Sequence, residues 1–180
     1  MSDARLSLVL IPLLALAGCG GVAQRGAMMA DRLTGGAPAP AADAALADSC
    51  PADPAAAGAL AQMVNEARAA EGRRILGPDK RLVRIAKSHA CDMARSGRVD
   101  VAGSNGSNVV DRARAADYPT CGVTQLVARG GTPAGIMAQW LQPGPYRDQV
   151  LGQLNAEIGS GTARGADGQL YYSVVMGNDC

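Results

Sequence analysis

The stretch DKRLVRIAKSHACDMARSG, Asp79 to Gly97, decides the fold class. Leu82, Ile85, Ala86, His89, Ala90 and Met93 recur at the three- and four-residue spacing of one helical face, which predicts an α-helix with an apolar stripe. Pro78 and Asp79 give a stop and an N-cap, and Gly97 gives a C-terminal stop. His89, the one histidine of the chain, lies inside the stripe. Cys91 falls well round the helix from the stripe's centre, where a free thiol is poorly buried. The segment therefore reads as a core helix with a cysteine tie on its flank.

Toward the N-terminus, Ile75 and Leu76 bridge back to a first helix. Asp53 and Pro54 form its N-cap and N1, Leu60, Met63, Val64 and Ala67 its inner face, and it ends near Gly72. Toward the C-terminus, a polar loop from Ala102 to Asn108 leads into a third helix with Val109, Val110 and Ala113 inward, ended by Tyr118-Pro119. Val123 to Ala128 is a short strand or extended segment closed by Gly130-Gly131. Thr132-Pro133 opens a fourth helix with Ile136, Met137, Trp140 and Leu141 as its face. Pro143-Gly144-Pro145 breaks the chain before a short helix, Tyr146 to Leu151. The end is a hairpin: Glu157 to Thr162, a turn through Arg164–Gly168, then Leu170 to Met176. The fold class is α+β, helices around a small antiparallel sheet. Phe is absent and aromatics are 3%, so alanine fills much of the core, and its helices must approach closely.

The first residues set the compartment. Arg5 precedes an apolar run, Leu6 to Leu16, followed by Leu16-Ala17-Gly18-Cys19, the outline of a secretory signal over residues 1–18. The run is shorter than the about 20 residues that span a bilayer. Leu-Ala-Gly-Cys resembles the lipobox of bacterial lipoproteins, which makes Cys19 the lipidated first residue. Gly20 is not the aspartate associated with inner-membrane retention, so the expected place is the outer membrane, or the exterior if Cys19 is not lipidated. Residues 19–49, with Gly-Gly and Ala-Pro-Ala-Pro, read as anchor and flexible tether, and residues 50–180 as the domain. Cys50, Cys91, Cys121 and Cys180 suggest two disulfides with three possible connectivities. The preferred pairing is Cys91–Cys121 inside the domain and Cys50–Cys180 joining its ends. Without a CxxC pair and with one histidine, structural zinc is not expected. A net charge of +1 with 18% charged residues gives no footprint for nucleic acid.

The order of elements resembles the CAP superfamily (cysteine-rich secretory protein, antigen 5, pathogenesis-related-1) in its short bacterial form, from about Met63 to Gly177. Met63-Val-Asn-Glu-Ala-Arg68 resembles the family's "LVNEARA". Leu82 to Ala94 resembles "LARAAQAHARDMA". Gly103-Ser-Asn-Gly-Ser107 with Asp111-Arg112-Ala113 is similar to its loop and following helix. Trp140 sits where the family has a tryptophan before "SPGHRANIL", and Glu157-Ile-Gly-Ser-Gly161 resembles "EIGVG". The resemblance implies an α/β/α sandwich. It also implies a cleft lined by two histidines and one or two glutamates, a set suited to a divalent metal or to acid–base chemistry.

Here each of those positions departs. The family's "FSH" histidine aligns with Val101, the "GEN" glutamate with Gln125 and the "GHR" histidine with Tyr146. Val101 offers no ligand atom, Gln125 a neutral amide, and tyrosine, with a pKa of about 10, is a weak base at neutral pH. No metal or other cofactor is expected, and no catalytic residue is assigned. His89 reads as a hydrogen-bonded core histidine rather than a displaced ligand. Ser104 and Ser107 lack the surroundings of a nucleophile, and no phosphate loop follows Gly103. Val101, Gln125, Tyr146 and Arg147 remain as a polar binding cleft, against the plainer reading that Arg147 pairs with Asp148 or a nearby carboxylate. The functional expectation is an envelope-anchored binding module for a partner protein, a glycan or a small apolar ligand, lipid or sterol carriage entering by resemblance only. The competing expectation is a hydrolase of peptide or envelope substrates with a rebuilt site.

Overall fold

The computed structural model describes residues 46–180. The signal, Cys19 and nearly all of the tether lie outside them. The elements in order are α1 (Pro54–Ala70), β1 (Gly77–Pro78), α2 (Lys80–Ser96), α3 (Val109–Ala115), β2 (Thr120–Arg129), α4 (Pro133–Trp140), α5 (Pro145–Val150), β3 (Glu157–Arg164) and β4 (Leu170–Asp179). Three helix starts follow the side chains named from the sequence, Asp53, Asp79 and Thr132, and Asn108 adds a cap read there only as the end of a loop. Asp53 accepts from the Ala56 N–H, Asp79 from the Arg81 and Leu82 N–H groups, Asn108 forms a capping box with Asp111, and Thr132 accepts from the Gly135 N–H. Gly97 closes α2 at φ 69°, in the left-handed region that glycine enters without strain.

The sheet order is β1-β3-β4-β2, with β4 antiparallel to both neighbours and β1 parallel to β3. Alternation along β4 builds two cores. Tyr172, Val174 and Met176 join Leu60 and Val64 of α1, Ile136, Met137 and Trp140 of α4, and Val150 of α5. Val175 joins Leu82, Ile85 and Ala86 of α2 with Ala113, Ala116 and Tyr118. The result is the expected sandwich of helices on both faces of a sheet. Arg68 of α1, fully buried, ties the first layer together by donating to the Arg74, Val150 and Gly152 carbonyls.

Two glycines set how close α2 lies to the sheet. A Cβ at Gly159 would overlap the Leu82–Val83 peptide, and one at Gly161 the Ala86–Lys87 peptide. The helix backbone rests directly on β3, the close approach that an alanine-rich, phenylalanine-free core requires.

The expected disulfide pairing is corrected: Cys50 bonds Cys91 and Cys121 bonds Cys180, each with Cα atoms 5.6 Å apart. Strand register explains the second. Thr120 pairs with Asp179 in the β2–β4 ladder, which brings Cys121 beside Cys180. For the first, the residues entering α1 lie over the C-terminal half of α2, where Ala47 is buried and Leu46 and Cys50 pack beside Ala90, Met93, Ala163 and Tyr171. Cys91 is therefore fully buried, not poorly buried as its helical position predicts. Packing onto the domain has begun by Leu46, four residues ahead of the expected boundary. The parallel pairing of Gly77-Pro78 with Glu157-Ile158, read from sequence only as a bridge, is the other addition.

Candidate functional site

The positions marked by resemblance lie in two places. The first is buried. Gln125, 5% exposed on β2, accepts from Arg112 Nη2 at 2.5 Å through Oε1 and donates to Ser173 Oγ at 2.8 Å through Nε2. Arg112, on α3 and 3% exposed, also donates to the Val101 carbonyl at 2.7 Å, the Ser107 carbonyl at 2.9 Å and Ser107 Oγ at 3.1 Å. Val101 thus joins Gln125 through its backbone, while its side chain stands 49% exposed. The second place is α5. Tyr146 is 55% exposed, and Arg147 donates to Glu71 Oε1 at 2.7 Å across to the end of α1. The plainer reading of Arg147, a carboxylate partner, is what the structure contains.

A divalent metal does not fit these residues. The Gln125 carbonyl oxygen is committed to a guanidinium, a cation that opposes a second one beside it, and Val101 supplies only a backbone oxygen already in use. Among the described residues, no three His, Cys, Asp or Glu side chains gather where they could hold a metal ion.

His89 on α2 bears out its reading as a hydrogen-bonded core residue. It is 1% exposed and its Nε2 lies 2.7 Å from the Asp100 carbonyl. Burial, and next the positive charge of Arg112, push its pKa down from 6.5 to about 4, so the ring is neutral at pH 7. The serines are engaged elsewhere: Ser104 donates from Oγ and from its backbone N–H to Asp92, and Ser107 Oγ receives Arg112. These contacts form a clamp on the loop after α2 rather than a nucleophile with its base.

The residue that sequence reasoning missed is Arg112. It was visible as an arginine inside the inner face Val109–Arg112–Ala113–Ala116, a position where a charge must have buried partners.

A different concavity is open. Between α1 and α2, at the β3 edge, a cavity of about 360 Å3 is lined chiefly by Ala57, Gly58, Val83, Lys87, Gly161 and Thr162. It exists because β1 ends at Pro78, so β3 from Ser160 to Thr162 has no strand on its outer side. Val83 and Lys87 also border a second hollow of about 230 Å3 that carries Lys80 and Arg84. Lys87 pairs there with the exposed Asp48 at 3.3 Å. The apolar trough and this hollow, which carries three cations and Asp48, thus share Val83 and Lys87 as a common wall. No helix among the described residues is long and apolar enough to cross a membrane.

Comparison with known proteins agrees with this architecture. The model of the cysteine-rich secretory protein family, CAP, matches residues 61–176, and the chain belongs to that family. No curated protein matches. Among solved structures, an outer surface protein from Borrelia burgdorferi is similar with a TM-score of 0.63 at 17% identity, over 67% of this chain and 90% of that one. An extracellular SCP-domain protein from Bacillus anthracis str. Ames gives 0.58 at 15%, over 66% of this chain and 39% of that one. A cysteine-rich secretory protein from Staphylococcus aureus subsp. aureus Mu50 gives 0.55 at 17%, over 69% and 38%. The chain spans less than half the length of the last two. At these identities the likeness is one of fold.

Proposed function

We propose that this CAP domain is a non-catalytic binding module of the bacterial cell envelope, and that its ligand is a small apolar molecule with an anionic head, seated in the groove between α1 and α2. The observation that carries the reading is the fate of Gln125. Both ends of its amide are spent on Arg112 and Ser173, so the family cleft serves here as a structural lock. The α1–α2 groove, by contrast, has an apolar trough for a chain and Lys80, Arg84 and Lys87 for a head group. Gly58 supports it. A glycine inside a helix costs about 0.5–1 kcal/mol against alanine, and a Cβ at this position would meet nothing within 4 Å. No packing demand explains it, while a low groove wall does. Envelope placement rests on the signal and the lipobox-like Cys19, which anchors the chain to the outer membrane in this reading, and on relatives described as outer-surface or extracellular proteins.

The test is equilibrium titration of the full chain with a fluorescent fatty acid. One saturable site is expected. Gly58→Trp fills the trough and lowers affinity at least tenfold, Lys87→Glu weakens binding while leaving the trough, and Tyr146→Ala changes nothing. Binding that survives Gly58→Trp, or is absent from the wild type while an envelope glycan or protein binds, overturns the choice of ligand.

A further inference from the structure

A small cavity of about 30 Å3 lies between α2, the loop that follows it and Leu46, with Ser88, His89, Asp92, Asn105, Ser107 and Arg112 as the polar residues of its walls. His89 Nε2 faces the Asp100 carbonyl, which only accepts, so Nε2 carries the ring proton. In the neutral ring the other nitrogen, Nδ1, is then a bare lone pair. It is buried and has no hydrogen-bond partner among the described residues. Buried acceptors are seldom left so in native proteins, because the lost hydration costs about 1–3 kcal/mol.

Size and charge select the occupant. A cavity needs about 10–15 Å3 of such volume per water, so this one takes a single water or two and excludes phosphate, carboxylates and sugars. The Arg112 guanidinium and the Asp92 carboxylate stand in the same wall with opposite sign, and the ring is neutral, so the cavity offers no net charge to retain an ion. Both Asp92 oxygens already accept from Ser104. Ser107 Oγ accepts from Arg112 and keeps its own proton to give.

We propose that this cavity is a hydration site: one long-lived water donates to His89 Nδ1 and accepts from the Ser107 hydroxyl, bonding α2 to the Gly103–Ser107 loop. The site is independent of the α1–α2 groove. It makes His89 a positioning residue for the loop, holding Asp100 directly through one nitrogen and Ser107 through water from the other.

The chain's single histidine makes the test free of assignment ambiguity. Long-range 1H–15N NMR of the full chain reads the hydrogen bonding of Nδ1, and rotating-frame cross-relaxation reads a water beside the ring's Hε1. The expected result is an Nδ1 resonance shifted upfield of a free pyridine-type nitrogen, with a water cross-peak that does not depend on the salt. Ser107→Ala should weaken the cross-peak and move Nδ1 toward the free value, while leaving the rest of the spectrum in place. The wild-type spectrum decides by itself if that variant does not fold. A free Nδ1 without a water cross-peak overturns the proposal, and so does a His89 shift that titrates with chloride or with a divalent cation.

Discussion

Gln125 is the residue on which the site turns. Its amide gives one acceptor to Arg112 and one donor to Ser173, and a substitution that removes both leaves two buried groups short of partners. Gln125→Leu should therefore lower stability by about 2–3 kcal/mol in urea unfolding. Gln125→Glu should do far less, within about 1 kcal/mol at pH 7, because the carboxylate pairs with Arg112 and the Ser173 hydroxyl can turn to donate. Calorimetric titration of Gln125→Glu with zinc should still show no binding, since Val101 and Tyr146 supply no imidazole. Stoichiometric zinc uptake would refute the reading of a lost metal site. His89 gives a pH prediction. Its folded pKa is depressed from 6.5 to about 4, so the unfolded chain takes a proton that the folded one refuses. The His89 contribution is intact above pH 6.5, declines as pH falls, and is fully lost below about 4. Its size is about 3 kcal/mol. Urea midpoints at pH 7, 5.5 and 4 should fall in that order for the wild type, and the fall should be much smaller in His89→Gln. The histidine's place was legible in the sequence because it sat in an apolar stripe. Arg112's role was not, because its partners Val101 and Gln125 lie 11 and 13 residues away along the chain and meet it only through the fold.

At the scale of elements, the caps and glycines carry most of what the sequence discloses. Each helix start named from Asp53, Asp79 or Thr132 stands where its side chain accepts a backbone N–H, since capping is local and needs no knowledge of the fold. Contacts between distant segments are another matter. The expected pairing, Cys91 with Cys121 inside the domain and Cys50 with Cys180 across its ends, fails because the β2–β4 register and the chain lying over α2 decide otherwise. Peptide mapping without reduction should recover Cys50 with Cys91 and Cys121 with Cys180. The sequence separations of 41 and 59 correspond to about 4 kcal/mol for each bond in the chain-entropy picture, so Cys→Ser pairs should lose similar amounts. The helix–strand approach gives a sharper contrast among glycines. Gly161→Ala pushes α2 off β3 and should destabilise by about 3 kcal/mol, while Gly58→Ala should stabilise by about 0.5–1 kcal/mol, both read from thermal unfolding. Equal effects at the two positions would contradict the packing described for α2.

Across the whole molecule, the buried Arg112–Gln125–Ser173 network ties the loop after α2 to the sheet, and a groove stays open beside the β3 edge. The proposed function reads the first as a lock and the second as the ligand site. The fold carries both without altering its sandwich, because the lock sits where the loop after α2 meets the sheet and the groove sits where β1 stops short. Composition does not reveal the groove, which arises from the length of β1 rather than from any motif. The measurement that bears most directly on both readings is native mass spectrometry of the full chain, purified from the cell envelope and then exposed to zinc. The expected result is two disulfides, one small apolar ligand per chain that Gly58→Trp abolishes, and no stoichiometric metal. A chain that carries one divalent metal and no apolar ligand would contradict it and return the family cleft to active service.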